Sequence, residues 1–336
     1  MAKIVLGLGT SHAPQLSIPP ESWAKRGNAD RRYLTLWYQG RPYSFDELRE
    51  ARADAHFANE LTADKARARF AACQQAIAGL AETFNEVRPD LVVMIGDDQN
   101  EVFQVEEGMV PAFNVHTGET VDNAPYVDPR RDELGLSEAD WGHMPPQRIT
   151  YPCMPALGEH LVQTLINEGF DPAYSRRLPP GRHGTGAVGH AFGFVMRRIM
   201  GDQVVPALPV FINTYYPPNQ PPAARCYAFG RALRRAIESW EGDQRVAIVT
   251  SGGLTHFVIE EDFDQAILKA MRERDHAALM SIAEPRLMSG NSEIKNWITL
   301  AGVLADSDLT MHLLDYVPCY RTEAGTGCGM AFARWN

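Results

Sequence analysis

The sequence lacks several features that would place the protein in a specialised class. No run of about 18 consecutive apolar residues occurs, so we expect no transmembrane helix and no membrane partner. The five cysteines are dispersed without a CxxC pair, which favours reduced thiols over a disulfide framework or a zinc site. The net charge is −10, whereas a nucleic-acid-binding surface needs a concentrated basic face. We therefore expect a cytoplasmic protein that binds no nucleic acid.

Two short apolar runs indicate buried strands, and polar residues follow each of them. The run at residues 3–9 precedes Thr10-Ser11-His12-Ala13-Pro14, and the run at 90–96 precedes a cluster of acids and amides. Apolar residues at steps of three and four predict a helix over residues 61–87. This strand–helix–strand order predicts a βαβ unit with its two strands as parallel neighbours. His12 and the cluster Asp98–Glu101 would then share the sheet edge where α/β proteins bind ligands.

Strands and helices continue to alternate in the rest of the chain. Further strands are predicted near residues 204–213 and 245–250. We therefore predict an α/β fold with a central, mostly parallel or mixed sheet and helices on both faces. Residues 1–336 are expected to form a single catalytic domain. Two polar or Pro/Gly-rich segments, about 19–59 and 104–152, are predicted to be large inserted loops.

The common nucleotide and nucleophile motifs are missing. The start Gly7-x-Gly9 does not complete a dinucleotide fingerprint, because His12 stands where the third small residue belongs. There is no P-loop and no GxSxG nucleophile motif. These absences argue against a nucleotide-dependent enzyme and against a serine hydrolase.

Four of the ten histidines are candidates for a functional site. His12, His190 and His256 each follow a glycine-containing turn at a junction between elements, where catalytic residues concentrate. His183 lies in a glycine-rich segment that could face a substrate. Histidines and a carboxylate near strand ends suit a divalent metal, and two histidines with one carboxylate are typical of non-haem Fe(II) oxygenases. Composition alone does not choose iron over zinc. We expect structural roles for five others: His116, His143, His160, His276 and His312.

Three segments, in this order, resemble the class III extradiol ring-cleavage dioxygenases. They are Thr10–Pro14, Val93–Gln99 leading to Met109–Phe113, and Ser251-Gly252-Gly253-Leu254-Thr255-His256. The relatives nearest in kind are the catalytic β subunit of protocatechuate 4,5-dioxygenase and the 3-O-methylgallate dioxygenases. The resemblance runs from residue 3 to about residue 334. The order and spacing of the segments carry it, since no single motif is specific.

The resemblance implies a function and a set of site residues. It implies an Fe(II) centre that uses O₂ to cleave the ring of a catechol-type substrate of the protocatechuate, gallate or methylgallate kind. His12 matches the first iron-ligating histidine, Glu293 the carboxylate ligand and His256 the catalytic histidine. His190 matches a further active-site histidine that contacts substrate or dioxygen, and His183 is a third catalytic candidate.

One position departs from the family pattern. The second iron-ligating histidine usually belongs to an Asp-His pair at the end of the second strand, where this chain has Asp98-Gln99. Three alternatives are open for the ligand at this position: Gln99 itself, Asp98 or Glu101 in its place, or His56 from the first inserted segment. The remaining alternative is a site without three protein ligands. The glutamine also favours an alternative function for the same scaffold, such as a metal hydrolase or an oxygenase of a non-catechol substrate.

The resemblance also bears on partners. The family's small α-type subunit is not part of this chain, so either the inserted segments take over its lid function or a separate small subunit exists. We expect a homo-oligomer. Four arginines of the inserted segments are candidates to bind a substrate carboxylate bidentately: Arg32, Arg41, Arg130 and Arg131.

Overall fold

A mixed sheet of nine strands forms the centre of the protein, with helices on both faces, which confirms the expected fold class. The computed structural model describes residues 1–336. Its strands are β1 (Lys3–Thr10), β2 (Leu36–Tyr38), β3 (Arg41–Tyr43), β4 (Leu91–Asp97), β5 (Phe113–His116), β6 (Thr120–Asn123), β7 (Ile149–Pro152), β8 (Ala173–Ser175), β9 (Ala207–Ile212), β10 (Arg245–Ser251), β11 (His256–Val258), β12 (Met311–Tyr320) and β13 (Thr326–Trp335). The sheet runs β11-β13-β1-β10-β4-β9-β5-β8, and β12 pairs with β13.

Ten α-helices accompany these strands. They are α1 (Trp23–Asp30), α2 (Phe45–Ala51), α3 (Ala63–Val87), α4 (Arg130–Glu133), α5 (Pro155–Asn167), α6 (His190–Phe194), α7 (Ala223–Glu238), α8 (Glu261–Glu273), α9 (His276–Met280) and α10 (Ile294–Leu304). A π-helical turn over Val195–Ile199 extends α6. No helix is both long and apolar enough to cross a membrane.

The strand β4 shows why the central runs are apolar throughout. Successive side chains of a strand point to opposite faces of the sheet. Val93 and Ile95 pack into the core under α5, α7, α8 and α10, whereas Val92 and Met94 pack into the core under α3 and α6. Both faces of β4 are therefore covered, and no position in its centre tolerates a polar residue.

The expectation that the first two predicted strands are neighbours is wrong. β1 and β4 are parallel, but β10 lies between them and pairs in parallel with both. The connection from β1 through α3 to β4 skips one strand position in the sheet. β10, which comes much later in the chain, occupies that position. The sequence pattern around β1 and β4 contains no trace of this insertion. As a result, three strand ends, not two, meet at one edge of the sheet.

The two inserted segments contain more regular structure than expected. The segment 19–59 holds α1, α2 and the β2–β3 hairpin. The segment 104–152 includes β5, which pairs with β8 and β9 in the main sheet. This part of 104–152 is therefore not a loop. A strand of four residues is too short to show a period-two pattern, so the sequence did not reveal it.

A close approach between β1 and α10 sets the position of that helix. A Cβ atom on Gly9 would lie 2.6 Å from Cη2 of Trp297, so only glycine leaves room for the indole ring. Trp297 is fully buried, and its Nε1 donates a hydrogen bond to Gly252 O over 2.7 Å. The start of α10 is thereby held against the ends of β1 and β10.

We expect Gly9→Ala to lower the free energy of unfolding by about 1–3 kcal/mol, because the Trp297 ring has to shift in a packed core. Urea unfolding followed by circular dichroism measures this change. Gly79→Ala on α3 is the control, since its added methyl meets only Leu314 Cδ1 at 3.4 Å. The control should be neutral or stabilising by up to about 1 kcal/mol. Equal losses in both variants would contradict the packing argument.

A buried carboxylate joins α8 to the segment before β11. Asp264 accepts hydrogen bonds from the backbone N–H and the hydroxyl of Thr255, both over 2.8 Å, and from the Tyr316 hydroxyl over 2.7 Å. Burial raises the pKa of Asp264 to about 7, although these hydrogen bonds favour the charged form. The folded protein therefore binds this proton more tightly than the unfolded chain does.

The raised pKa of Asp264 makes the free energy of unfolding depend on pH. The stabilising effect of the bound proton is largest at acidic pH and is lost as the pH rises through about 7. We expect the unfolding free energy of the wild type, measured relative to Asp264→Asn, to fall by about 2 kcal/mol between pH 5 and pH 7. Urea unfolding of both proteins across this range tests the prediction. Asp262→Asn, at an exposed position of the same helix, should show no such trend relative to the wild type.

Candidate metal centre

Two strand ends and one helix start bring three metal-binding side chains together. His12 follows β1, Asp97 ends β4, and Glu293 directly precedes α10. One donor atom of each lies within 4.8 Å of the others, and all three residues are buried. An imidazole nitrogen with two carboxylates suits a divalent transition metal. Burial and the neighbouring Glu293 raise the pKa of Asp97, and a cation between the two carboxylates would remove their repulsion.

The carboxylate of Glu293 has a partner on each of its oxygens. The Gly253 N–H donates a hydrogen bond to Oε2 over 2.7 Å, and His12 Nε2 lies 3.4 Å from the same oxygen. His256 Nε2 lies 3.2 Å from Oε1. Burial opposes the charge, but the two histidines hold the pKa of Glu293 well below its usual range. The carboxylate is therefore ionised and fixed in orientation.

Neighbouring polar groups orient the other two members of the cluster. His12 Nδ1 lies 2.8 Å from the Ser251 hydroxyl, so its Nε2 faces Glu293. Asn296 Nδ2 donates to Asp97 Oδ1 over 2.8 Å and to Ser251 O over 3.0 Å. Such outer contacts fix the rotamers of ligands before a metal binds. The end of β10 thus supports residues from β1, β4 and α10.

Gln99 lies beside the cluster, and the other residues considered for its role do not. Its Nε2 donates to Asp97 Oδ2 over 3.0 Å and to Glu293 Oε1 over 3.2 Å. The Asp98 carboxylate accepts from the backbone N–H groups of residues 101–103. Glu101 binds His190, and His56 lies in a separate surface groove. Of the four, only Gln99 hydrogen-bonds to members of the cluster.

Asp97 is a cluster member that the sequence reasoning missed. Asp97 lies in the polar run after the second strand but is not among the candidate ligands named from the sequence, and the structure shows it as the last residue of β4. The period-two pattern of strands contains the signal, because residues 97 and 99 lie on one side of the chain and 98 on the other. The structure follows this pattern: Asp98 is used to fix the loop, and Asp97 and Gln99 contact Glu293 or each other.

His256 lies next to the cluster with one ring nitrogen already engaged. Its Nδ1 is 2.8 Å from Leu254 O, and a carbonyl can only accept, so Nδ1 carries a proton. Its backbone N–H donates to Asn291 Oδ1 over 2.8 Å. The ring is thereby fixed with Nε2 towards Glu293.

A second group of histidines lies on the other side of His12. The rings of His190 and His12 are perpendicular, with centroids 4.7 Å apart. His190 Nδ1 lies 2.6 Å from Glu101 Oε2, and the His190 backbone N–H donates to the same oxygen over 3.0 Å. Burial alone would lower the pKa of His190, but the Glu101 carboxylate raises it to about 9.

Two further histidines, His183 and His143, contact Tyr126. The ring of His183 stacks on Tyr126 with centroids 3.7 Å apart. His143 Nε2 lies 3.3 Å from the Tyr126 hydroxyl. His143 lines the same cavity as the site residues, contrary to the structural role expected for it. No local motif in the sequence marks it, because the fold of segment 104–152 brings it there. The other four histidines assigned structural roles do not line the cavity.

A cavity of about 450 Å³ is lined by the residues His12, Gln99, Glu101, His143, His183, His190, His256 and Glu293, among others. Tyr33 and Phe257 form an aromatic wall, with ring centroids 4.9 Å apart. Of the four candidate arginines, Arg130 and Arg131 line the cavity, whereas Arg32 and Arg41 are exposed outside it. The two lining arginines are paired with Asp128 and Asp140 respectively. The site is thus a metal-binding cluster in a cavity with histidines on several sides.

Comparisons with known proteins agree with this geometry. Residues 64–326 match the family model described as the catalytic LigB subunit of aromatic ring-opening dioxygenase. Over 176 residues the chain is 30% identical to a gallate dioxygenase of Pseudomonas putida, covering 48% of this chain and 49% of that protein. Over 187 residues it is 26% identical to a 2,3-dihydroxyphenylpropionate/2,3-dihydroxicinnamic acid 1,2-dioxygenase of Comamonas testosteroni, covering 55% and 49%.

The matched region of the chain spans about half the length of each of these relatives. The family model, in contrast, covers most of this chain, from α3 to the start of β13, and includes Asp97, Gln99, His256 and Glu293. The protein therefore belongs to the family of the catalytic LigB subunit of aromatic ring-opening dioxygenases.

Proposed function

We propose that the protein is an Fe(II)-dependent extradiol dioxygenase that opens the ring of a catechol-type substrate with O₂. The observation that carries the proposal is the buried cluster of His12, Asp97 and Glu293, of which His12 and Glu293 line one cavity with His256 and His190. The names of the relatives, a gallate and a dihydroxyphenylpropionate dioxygenase, support a substrate with vicinal hydroxyl groups on an aromatic ring.

The residues that would hold the iron are His12, Gln99 and Glu293, with Asp97 as an additional donor. Gln99 now turns its amide nitrogen towards the two carboxylates, and rotation about its terminal bond would present the oxygen to a cation. Bound Fe(II) supplies a common site at which the two diol oxygens and O₂ can lie side by side. Open positions next to a small set of protein ligands are what such chemistry requires.

His256 is the proposed general base. Since its Nδ1 donates to Leu254 O, Nε2 is the atom that can accept a proton from a substrate hydroxyl. Burial lowers the pKa of His256, but the Glu293 carboxylate raises it well above its usual range. A cation bound to Glu293 would weaken that attraction and return the pKa of His256 towards the near-neutral value that suits a general base. The fixed ring keeps Nε2 at the same edge of the cavity as Glu293, where the hydroxyl group would lie.

His190 and His183 complete the proposed set of catalytic residues. Glu101 engages Nδ1 of His190, which leaves Nε2 to donate a hydrogen bond to an oxygen of the substrate or of O₂. His183, stacked on Tyr126, is further along the cavity wall and would contact a ring substituent. Residues 130–139 line the cavity through Leu134, Leu136 and Ala139, which supports a lid formed by this chain itself.

We expect His256→Ala to lower turnover by about 10²–10⁴-fold while Fe(II) still binds, because only the proton acceptor is lost. Oxygen uptake and near-visible product absorbance, with catechols, gallates and aminophenols as substrates, measure this. His312→Ala, at an exposed position, is the control. Near-normal turnover of His256→Ala would contradict the role of this residue. Absence of O₂ uptake with every compound, despite bound iron, would contradict the proposed function itself.

We expect His12→Ala and Glu293→Ala each to weaken Fe(II) binding by about 100-fold or more, since loss of even an outer-shell partner costs about 10–100-fold. Anaerobic titration calorimetry with Fe(II) gives the affinity and the stoichiometry. Glu273→Ala, which removes an exposed carboxylate from α8, should bind iron as the wild type does. Unchanged affinity in either site variant would exclude that residue as a ligand.

A further inference from the structure

Arg26 lines the cavity as a buried cation without an ion pair. It lies on α1 and is 4% exposed. Its Nη1 donates to the backbone oxygen of Leu134 over 2.6 Å. Its Nε is buried with no hydrogen-bond partner. Donors of this guanidinium are thus left over, and leaving buried polar groups unpaired is costly.

The neighbouring carboxylate of Asp30, which attracts the charge of Arg26, is already occupied. Asp30, on the same helix, binds Arg321 through both carboxylate oxygens, at 2.8 and 3.2 Å, and also accepts from Thr326 Oγ1. Arg321 lines the cavity as well. Of these two buried arginines, only Arg321 is paired with the carboxylate of Asp30. Burial and the nearby Arg321 lower the pKa of Arg26, but a guanidinium still keeps its charge at neutral pH.

Among the arginines that line the cavity, Arg26 is the buried one without an ion pair. Arg130 and Arg131, also in the cavity lining, each have an aspartate partner. A buried charge without a counterion is strongly destabilising. Arg182 also lines the cavity without an ion pair, but it is exposed to solvent. An anion entering the cavity would therefore find its strongest attraction at the buried Arg26, where water screens the charge least. The planar fork of arginine matches a carboxylate, with two parallel N–H donors for its two oxygens.

We propose that Arg26 is a specificity-determining residue that binds a carboxylate on the ring substituent of the substrate. The inference rests on the proposed function and names the substituent that this cavity selects. A cavity of about 150 Å³ is enough for benzene, whereas this one has about 450 Å³. It therefore has room for the diol ring at the metal cluster and for a substituent that reaches Arg26.

The two inserted segments build this subsite together. Arg26 belongs to the segment 19–59, and its acceptor Leu134 belongs to the segment 104–152. The same segments are joined by the ion pair between Lys25 and Glu138 and by a hydrogen bond from Arg32 to Glu133 O. Recognition of the carboxylate thus depends on the contact between the two insertions, while the metal cluster depends on the sheet.

A matched pair of ligands tests the proposal. The probes are 3-(3,4-dihydroxyphenyl)propionate and its carboxamide, with 3,4-dihydroxybenzoate and its carboxamide as a shorter pair. Anaerobic calorimetry on metal-free and Fe(II)-loaded protein gives the affinities without turnover. In the wild type we expect at least one carboxylate to bind about 10–100-fold more tightly than its carboxamide, the range for hydrogen bonds to charged groups.

Substitution of the arginine should remove this preference. In Arg26→Gln we expect the ratio of the carboxylate affinity to the carboxamide affinity to fall to about threefold or less. Only the binding of the carboxylate should weaken, because no full charge remains to attract it. Arg26→Lys keeps the charge and should retain part of the preference, and it serves if the glutamine variant does not fold. Arg32→Met is the matched control, because Arg32 lies just after the same helix and contacts the second insertion but is exposed.

The outcomes separate this inference from the proposed function. A wild-type ratio near one for both pairs, or a ratio that persists in Arg26→Gln, overturns the role of Arg26. Ring cleavage with equal catalytic efficiency on carboxylates and carboxamides overturns it too and leaves the proposed function intact. A carboxylate preference that depends on Arg26, without ring cleavage of any catechol, supports the subsite and contradicts the proposed function.

Discussion

The buried carboxylate of Glu293 is the group on which the site depends. It accepts a hydrogen bond from Gly253, faces His12 and His256, and receives the amide of Gln99. Residues from β1, β4, β10 and α10 thus meet around one negative charge. Removing a charge from water is costly unless several partners compensate it, so these elements have to be assembled with precision. The apolar contact between Gly9 and Trp297 contributes to this assembly, because it holds the start of α10 against β1.

Much of this arrangement could be predicted from local patterns. The runs that became β1, β4 and β10 are apolar and β-branched, and His12 and His256 follow two of them after glycine turns. The apolar residues at steps of three and four that predict α3 are equally clear in the sequence. The insertion of β10 between β1 and β4 could not be predicted, because strand order depends on contacts between distant segments. The same holds for His143, which enters the cavity only through the fold of its segment.

Different parts of the fold supply the metal-binding cluster and the side chains that line the rest of the cavity. The cluster residues lie at strand ends and at a helix start, where the backbone is held by the sheet. The histidine and arginine side chains farther from the cluster come from connecting segments, which tolerate variation in sequence and length. The sequence alone did not identify Arg26, because Arg32 and Arg41 carry the same charge and lie in the same inserted segment, although the structure shows both as exposed. Burial separates them, and burial is a property of the whole fold.

The place of β1 in the sheet has a consequence for the synthesis of the protein. Its two neighbours are β10 and β13, which begin at residues 245 and 326. β1 therefore has no partner in the sheet until residues 245 and beyond have been synthesised, and both of its edges stay open to wrong pairing during that time. Because Glu293 also follows residue 245, the three residues of the cluster cannot meet until that part of the chain has been synthesised.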